Sequence, residues 1–150
     1  MLVAYFRGHW QNVRAGLIET VGKFHDDELD FRPYAAAWSV RELMLHIAQE
    51  EHGEMGYGIR QSLSAFPDPY APAAYANVAT IQALLAAVHA SSEEYLQGLG
   101  DDDLARTIET PWGARYALVE MIGHFIEHEV HHRAELSLLL GMLGREGLNA

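Results

Sequence analysis

The sequence contains no cysteine. Disulfides, thiolate metal ligands and a cysteine nucleophile are excluded, so any sulfur chemistry must bring its sulfur from outside the chain. A cysteine-free composition fits a reducing setting, and a cytoplasmic location is expected. Basic residues are scarce as well: 10 Lys and Arg stand against 21 Asp and Glu, a formal net charge of −11 with the histidines neutral. Phosphate backbones and anionic membranes repel such a chain, and no local basic stripe reverses that, so nucleic acid and membrane are excluded as expected partners. No apolar run approaches the ~20 residues that a membrane span needs. The stretch from Met1 to Arg7 lacks a basic leader ahead of a long apolar core and does not read as a secretory signal. GxSxG, P-loop and GxGxxG motifs are missing, which leaves serine hydrolysis, phosphoryl transfer and dinucleotide chemistry without support. Alternating apolar and polar residues are missing too, so no sheet is expected.

What the chain does have is helical periodicity. With 150 residues, 49% of them hydrophobic, it is long enough to bury roughly 70% of its extended surface, and a single domain over residues 1–150 is expected. Leu2, Phe6, Trp10, Val13, Leu17, Val21 and Phe24 step by three or four and predict a first helix over about 2–24. Ser39-Val40-Arg41-Glu42 is a capping-box pattern that opens a second helix, expected to continue to about Ser64, with Trp38 placed to staple its start. Ile81, Leu85, Val88, Tyr95 and Leu99 predict a third helix over about 75–99, and a fourth is expected over about 116–143. Pro33, then Pro67, Pro69 and Pro72, then Pro111-Trp112-Gly113 mark the connections. The architecture expected is all-α, a four-helix bundle. The loops are long enough to leave its handedness and neighbour order open.

Nine histidines stand out, four of them between positions 124 and 132. The inward stripe of the fourth helix reads Leu118, Met121, Phe125, His128, His132, Leu136, Leu139 and Leu143. Two imidazoles therefore occupy slots where the period expects Leu or Phe, four residues apart and able to converge on one ion. On the second helix His46 lies on the shoulder of the inward face, one turn before Glu50. Three histidines on facing stripes can meet at a cleft, and three protein ligands with an open position is the layout of a catalytic zinc site. The residue pattern alone leaves a second reading open, in which partly buried histidines simply find hydrogen-bond partners.

Three stretches carry a family resemblance. They are Trp38-Ser39-Val40-Arg41-Glu42-Leu43-Met44-Leu45-His46-Ile47, Pro111-Trp112-Gly113, and His124 through Leu136, reading HFIEHEVHHRAEL. In this order they resemble the DinB-like superfamily of four-helix-bundle metalloenzymes, over essentially the whole chain. Ala134 departs from the glycine that many members carry there. The resemblance implies His46, His128 and His132 as ligands of one divalent ion per chain, zinc first, with nickel or another divalent metal as a substitute. It also implies a metal-dependent reaction on a small-molecule substrate: transfer of a low-molecular-weight thiol cosubstrate, with hydrolysis as the alternative. A non-catalytic metal-binding or stress protein and a plain structural bundle are the other classes in play.

Glu50 and His124 are the further catalytic candidates, Glu50 as a base or a hydrogen-bond acceptor for His46, His124 at the mouth of the site. Glu129, Arg133 and Glu135 are candidates to hold ring tautomers or to bind an anionic substrate, with a surface ion pair expected for Glu129. His9 is expected near the cleft or packed beside it; His25, His52 and His89 are expected on the surface, and His131 away from the ion. A homodimer is expected, with Ala83, Ala86, Ala87 and Ala90 as a smooth outer face.

Overall fold

The structure, a computed structural model, describes residues 1–147; the last three positions of the expected domain lie outside the described residues. Four long helices form a bundle: α1 (Leu2–Val21), α2 (Val40–Gly53), α3 (Val78–Gln97) and α4 (Leu118–Met142). Each starts where local chemistry satisfies the free N–H groups of its first turn. At α2 the Ser39 hydroxyl accepts from the Glu42 amide at 3.2 Å and the Glu42 carboxylate accepts from the Ser39 amide at 2.7 Å. At α3 the Asn77 side chain accepts from the Thr80 amide at 2.9 Å, and Asp26 accepts from the Val78 amide at 2.8 Å. At α4 no side chain caps directly; Glu120 reaches back to the Ala117 amide at 2.7 Å.

Several boundaries differ from the sequence reading. The first helix stops at Val21, before the expected Phe24, with Gly22 as its cap, and α3 is shorter than expected by three residues at its start and two at its end. The second helix does not run unbroken to Ser64. After Gly53 it widens into a π-helical turn, Glu54–Ile59, closed by the Arg60 amide donating to the Met55 carbonyl at 2.9 Å, five residues back. The expectation of no sheet is also corrected. Strands β1 (Thr107–Glu109) and β2 (Arg115–Ala117) pair antiparallel with Ile108 opposite Tyr116. Three-residue strands are too short to show a period of two, which is why the pattern missed them. The turn between them carries Pro111-Trp112-Gly113, and Gly113 adopts φ +85°, where a side chain would be strained.

The helix order around the bundle is α1, α3, α2, α4, so α1 and α2 sit diagonally. Two apolar clusters fill the interior. One gathers Leu17, Val21, Leu43, Ile47, Leu85 and Leu136; the other gathers Val13, Met55, Ile59, Leu96, Phe125 and Ile126. Between them lies a buried polar layer of Arg14, Glu51, His89 and Glu129. No helix of the described residues is long and apolar enough to cross a membrane.

Candidate metal centre

Positions 46, 50 and 54 fall four apart at the start, middle and end of α2's run into the π turn, so they share one face. Positions 124, 128 and 132 do the same on α4. The two stripes meet in opposite senses. His46 faces His128 and His132, and Glu54 faces His124 with 3.7 Å between carboxylate oxygen and Nε2. The predicted triad is thereby brought together: His128 Nε2 lies 3.3 Å from His46 Nε2 and 3.0 Å from His132 Nε2.

Three nitrogen donors turned on one point fit a divalent ion. Ligands held ~2.0–2.1 Å from a tetrahedral ion lie about 3.3 Å apart, close to the spacings observed. The surroundings keep the donors in usable form. Burial, then the neighbouring His132, depresses His46 to about 4; burial, then His132 and His46, depresses His128 to about 3. Both rings are therefore neutral near pH 7 and present lone pairs. His132 is oriented from behind: its Nδ1 lies 2.5 Å from a Glu135 carboxylate oxygen. With the Nδ1 proton donated there, Nε2 is left as the free donor, the usual carboxylate–histidine arrangement behind a metal. On His46 the Trp38 ring lies at a centroid distance of 4.5 Å, and Glu50 stands 3.9 Å from Nδ1. Trp38 is half exposed and covers His46. Glu50 is pushed above the ordinary carboxylate range by burial, then by the charge of Glu54; Glu54 is raised by burial as well.

Other candidates distribute as follows. His131 is exposed and leans edge-on to His132 without joining the triad. His124 is largely exposed, 6.1 Å from the His128 ring, and lines the mouth of a cleft of about 490 Å³ together with Glu54, Trp112, Tyr116, Glu120 and Met121. His9 is exposed and stacks on Tyr5, and His25 is exposed. His52 is half-buried, its Nδ1 3.0 Å from the Tyr70 hydroxyl.

Two expectations are corrected. Glu129 is not a surface ion-pair partner but is 2% exposed, bonded to the Arg14 guanidinium and to the Trp10 indole N–H at 2.6 Å. His89 is buried as well, with Nδ1 3.1 Å from Glu51, which also holds Arg14. Burial pushes the Glu51 carboxyl up, but Arg14 and His89 outweigh it and hold it below its ordinary range; burial dominates at Glu129 and raises it. Glu51, His89 and Glu129 are close enough to hold an ion, yet Arg14 already supplies the cation among them. Arg14 and Glu54 were missed in the sequence. Each had a signal: a guanidinium between Val13 and Leu17 on an inward stripe, and a carboxylate two turns along the face of His46.

Three histidines that converge from two facing helices could hold a metal ion, and helical bundles commonly build metal sites in this way. The comparisons name the family. The DinB superfamily matches residues 9–136, and the chain belongs to that superfamily. No curated protein matches its sequence. Among solved structures it is similar to a DinB-like protein from Bacillus cereus ATCC 10987, at 18% identity and TM-score 0.78, covering 97% of this chain and 95% of that one. It is also similar to YfiT from Bacillus subtilis, described as a probable metal-dependent hydrolase with an unusual four-helix bundle topology, at 22% identity and TM-score 0.72, covering 96% and 89%. A mycothiol-dependent maleylpyruvate isomerase shares the fold at 13% identity and TM-score 0.65; the match covers 87% of this chain but 59% of that one. At these identities the likeness establishes the fold alone.

Proposed function

We propose that this chain binds one divalent ion, zinc by preference, through Nε2 of His46, His128 and His132, and uses it in a reaction on a small substrate. The observation that carries the reading is the convergence of the three Nε2 atoms from α2 and α4. Imidazole donors suit zinc and nickel alike. Such an ion, when bound, supplies Lewis acidity that lowers the pKa of an exchangeable ligand. The chain's own residues do the rest. Glu135 fixes the His132 ring, and Trp38 shields His46 from water on one side. Glu50, whose carboxyl is raised by burial, stands where it can hold a proton taken from an incoming thiol or water.

Thiol transfer is the reaction we propose first. The chain has no cysteine thiol of its own, and a solved structure that shares the fold is that of a mycothiol-dependent maleylpyruvate isomerase. Hydrolysis is the competing reading, favoured by the description of YfiT. The test begins with metal analysis of untagged protein. Ala at both His128 and His132 should abolish stoichiometric metal while the far-ultraviolet circular dichroism stays helical; metal retained in the same pocket overturns the ligand assignment. In the cobalt-substituted protein, cellular thiols should perturb the visible spectrum and conjugate to electrophiles above the metal-free control. If no thiol does either, the transferase reading falls and hydrolysis takes its place.

A further inference from the structure

A cleft of about 490 Å³ lies beside the three imidazoles without containing them. It opens one turn of α4 beyond them, where His124 stands between the His128 ring and Glu54. Its walls come from three separate elements: the π turn gives Glu54, the hairpin gives Trp112 and Tyr116, and the start of α4 gives Glu120, Met121 and His124. Two lining side chains are carboxylates, two are exposed aromatic rings, and none is lysine or arginine. The nearest arginine in the hairpin, Arg115, faces Glu109 at 3.4 Å.

The cleft is held open by backbone design. Trp112 leans over Gly58 so closely that a Cβ there would come within 2.7 Å of the ring's Cη2. A glycine at that point of the π turn lets the indole lie against the helix and form a wall. Glu54 lines the cleft, with the His124 Nε2 3.7 Å from its carboxylate oxygen. One Glu120 oxygen is used by the Ala117 amide, leaving the other for a ligand.

From this arrangement we infer that the cleft receives the cationic amine or ammonium group of the substrate, with Glu54 and Glu120 as counter-charges and Trp112 and Tyr116 as the aromatic walls. Aromatic faces attract cations through the ring quadrupole, and a partly buried carboxylate such as Glu54 favours a positive partner, with the exposed Glu120 adding negative charge at the rim. A cation beside Glu54 would also offset the burial that raises its carboxyl. This rests on the metal reading only in placing the reactive end of the substrate at the histidines. The ammonium end would then lie on the order of one to two helical turns away, a separation of about 5–10 Å. The substrate class is a small cationic amine carrying its reactive group several atoms from the charge.

The probe is (2-phenylethyl)trimethylammonium, which has no lone pair to give a metal, compared with its neutral carbon isostere. Both are titrated by calorimetry into the zinc-loaded full chain and into the same protein after EDTA treatment. The ammonium should bind in both forms, with the isostere weaker by about tenfold, a difference that an ion pair at the partly buried Glu54 and a cation–π contact can together supply. Glu54→Gln, which keeps size and removes charge, should abolish most of that preference. Trp112→Leu should weaken the ammonium more than the isostere. Equal affinity for the two probes, or an unchanged preference in Glu54→Gln, overturns the inference. So does binding that vanishes on metal removal, since the ion and not the cleft would then be responsible. The metal reading fails separately, when zinc stoichiometry survives the loss of His128 and His132.

Discussion

An imidazole gives a lone pair to an ion only while it is neutral, and burial keeps His46 and His128 neutral. That burial has a cost in the metal-free protein. In the unfolded chain both rings take up protons as pH falls below about 6.5. In the folded chain His46 resists until about 4 and His128 until about 3. Between those limits the unfolded state binds more protons, so stability rises with pH. The apo protein should therefore lose stability as pH falls from about 6.5 towards 4, with no further loss from these two groups below about 3. Carboxylates titrate in the same window, so the comparison is with a His46→Gln, His128→Gln double variant. Urea midpoints of the EDTA-treated wild type should fall more steeply between pH 6.5 and 4.5 than those of the variant. Parallel slopes would mean that the rings are solvated enough to titrate normally.

At the scale of elements, the polar layer divides the core. Arg14 from α1 is bonded to Glu51 of α2 and Glu129 of α4, and His89 of α3 completes the ring at Glu51, so the layer ties all four helices at one level. Replacing a buried ion-pair partner leaves its counter-charge uncompensated and costs about 3–5 kcal/mol. Arg14→Met should lower the unfolding free energy in urea at pH 7 by about that much. A loss below about 1 kcal/mol would mean that the two carboxylates are already protonated and the layer is held by neutral hydrogen bonds. This layer also marks what the sequence could and could not say. The capping box at Ser39 and the spacing of His128 and His132 are local, so both were legible in the chain. His89 and Glu129 were placed outside because hydrophobic periodicity counts apolar residues and passes over polar ones facing inward. Arg14, which makes their burial tolerable, lies 75 and 115 residues from them in sequence (89 − 14 and 129 − 14). The hairpin and the π turn escaped for another reason: each is shorter than the period that would announce it. The diagonal placement of α1 and α2 is written in neither loop, since a connection long enough to cross the bundle end is long enough to run along its side.

At the scale of the whole molecule, the proposed site is a clasp. His46 lies 82 positions before His128 and contacts it across the facing surfaces of α2 and α4. The unfolded chain cannot present the three donors together, so an ion that binds them binds the folded state alone and stabilises it by mass action. At a free zinc concentration a hundred times the dissociation constant the gain is about 2.7 kcal/mol. For a chain of this length that corresponds to a rise in melting temperature of about 5–10 °C. The rise should grow with the logarithm of free zinc, disappear with EDTA, and be absent from a variant with Ala at both His128 and His132. The polar layer at Arg14 supplies the control, because it too contains histidine and carboxylates but already holds a cation. Glu51→Gln should shift the melting temperature of the apo protein and leave the zinc-dependent increment as it was. An increment that vanished in Glu51→Gln and persisted without His128 and His132 would move the ion from the cleft between α2 and α4 into the core.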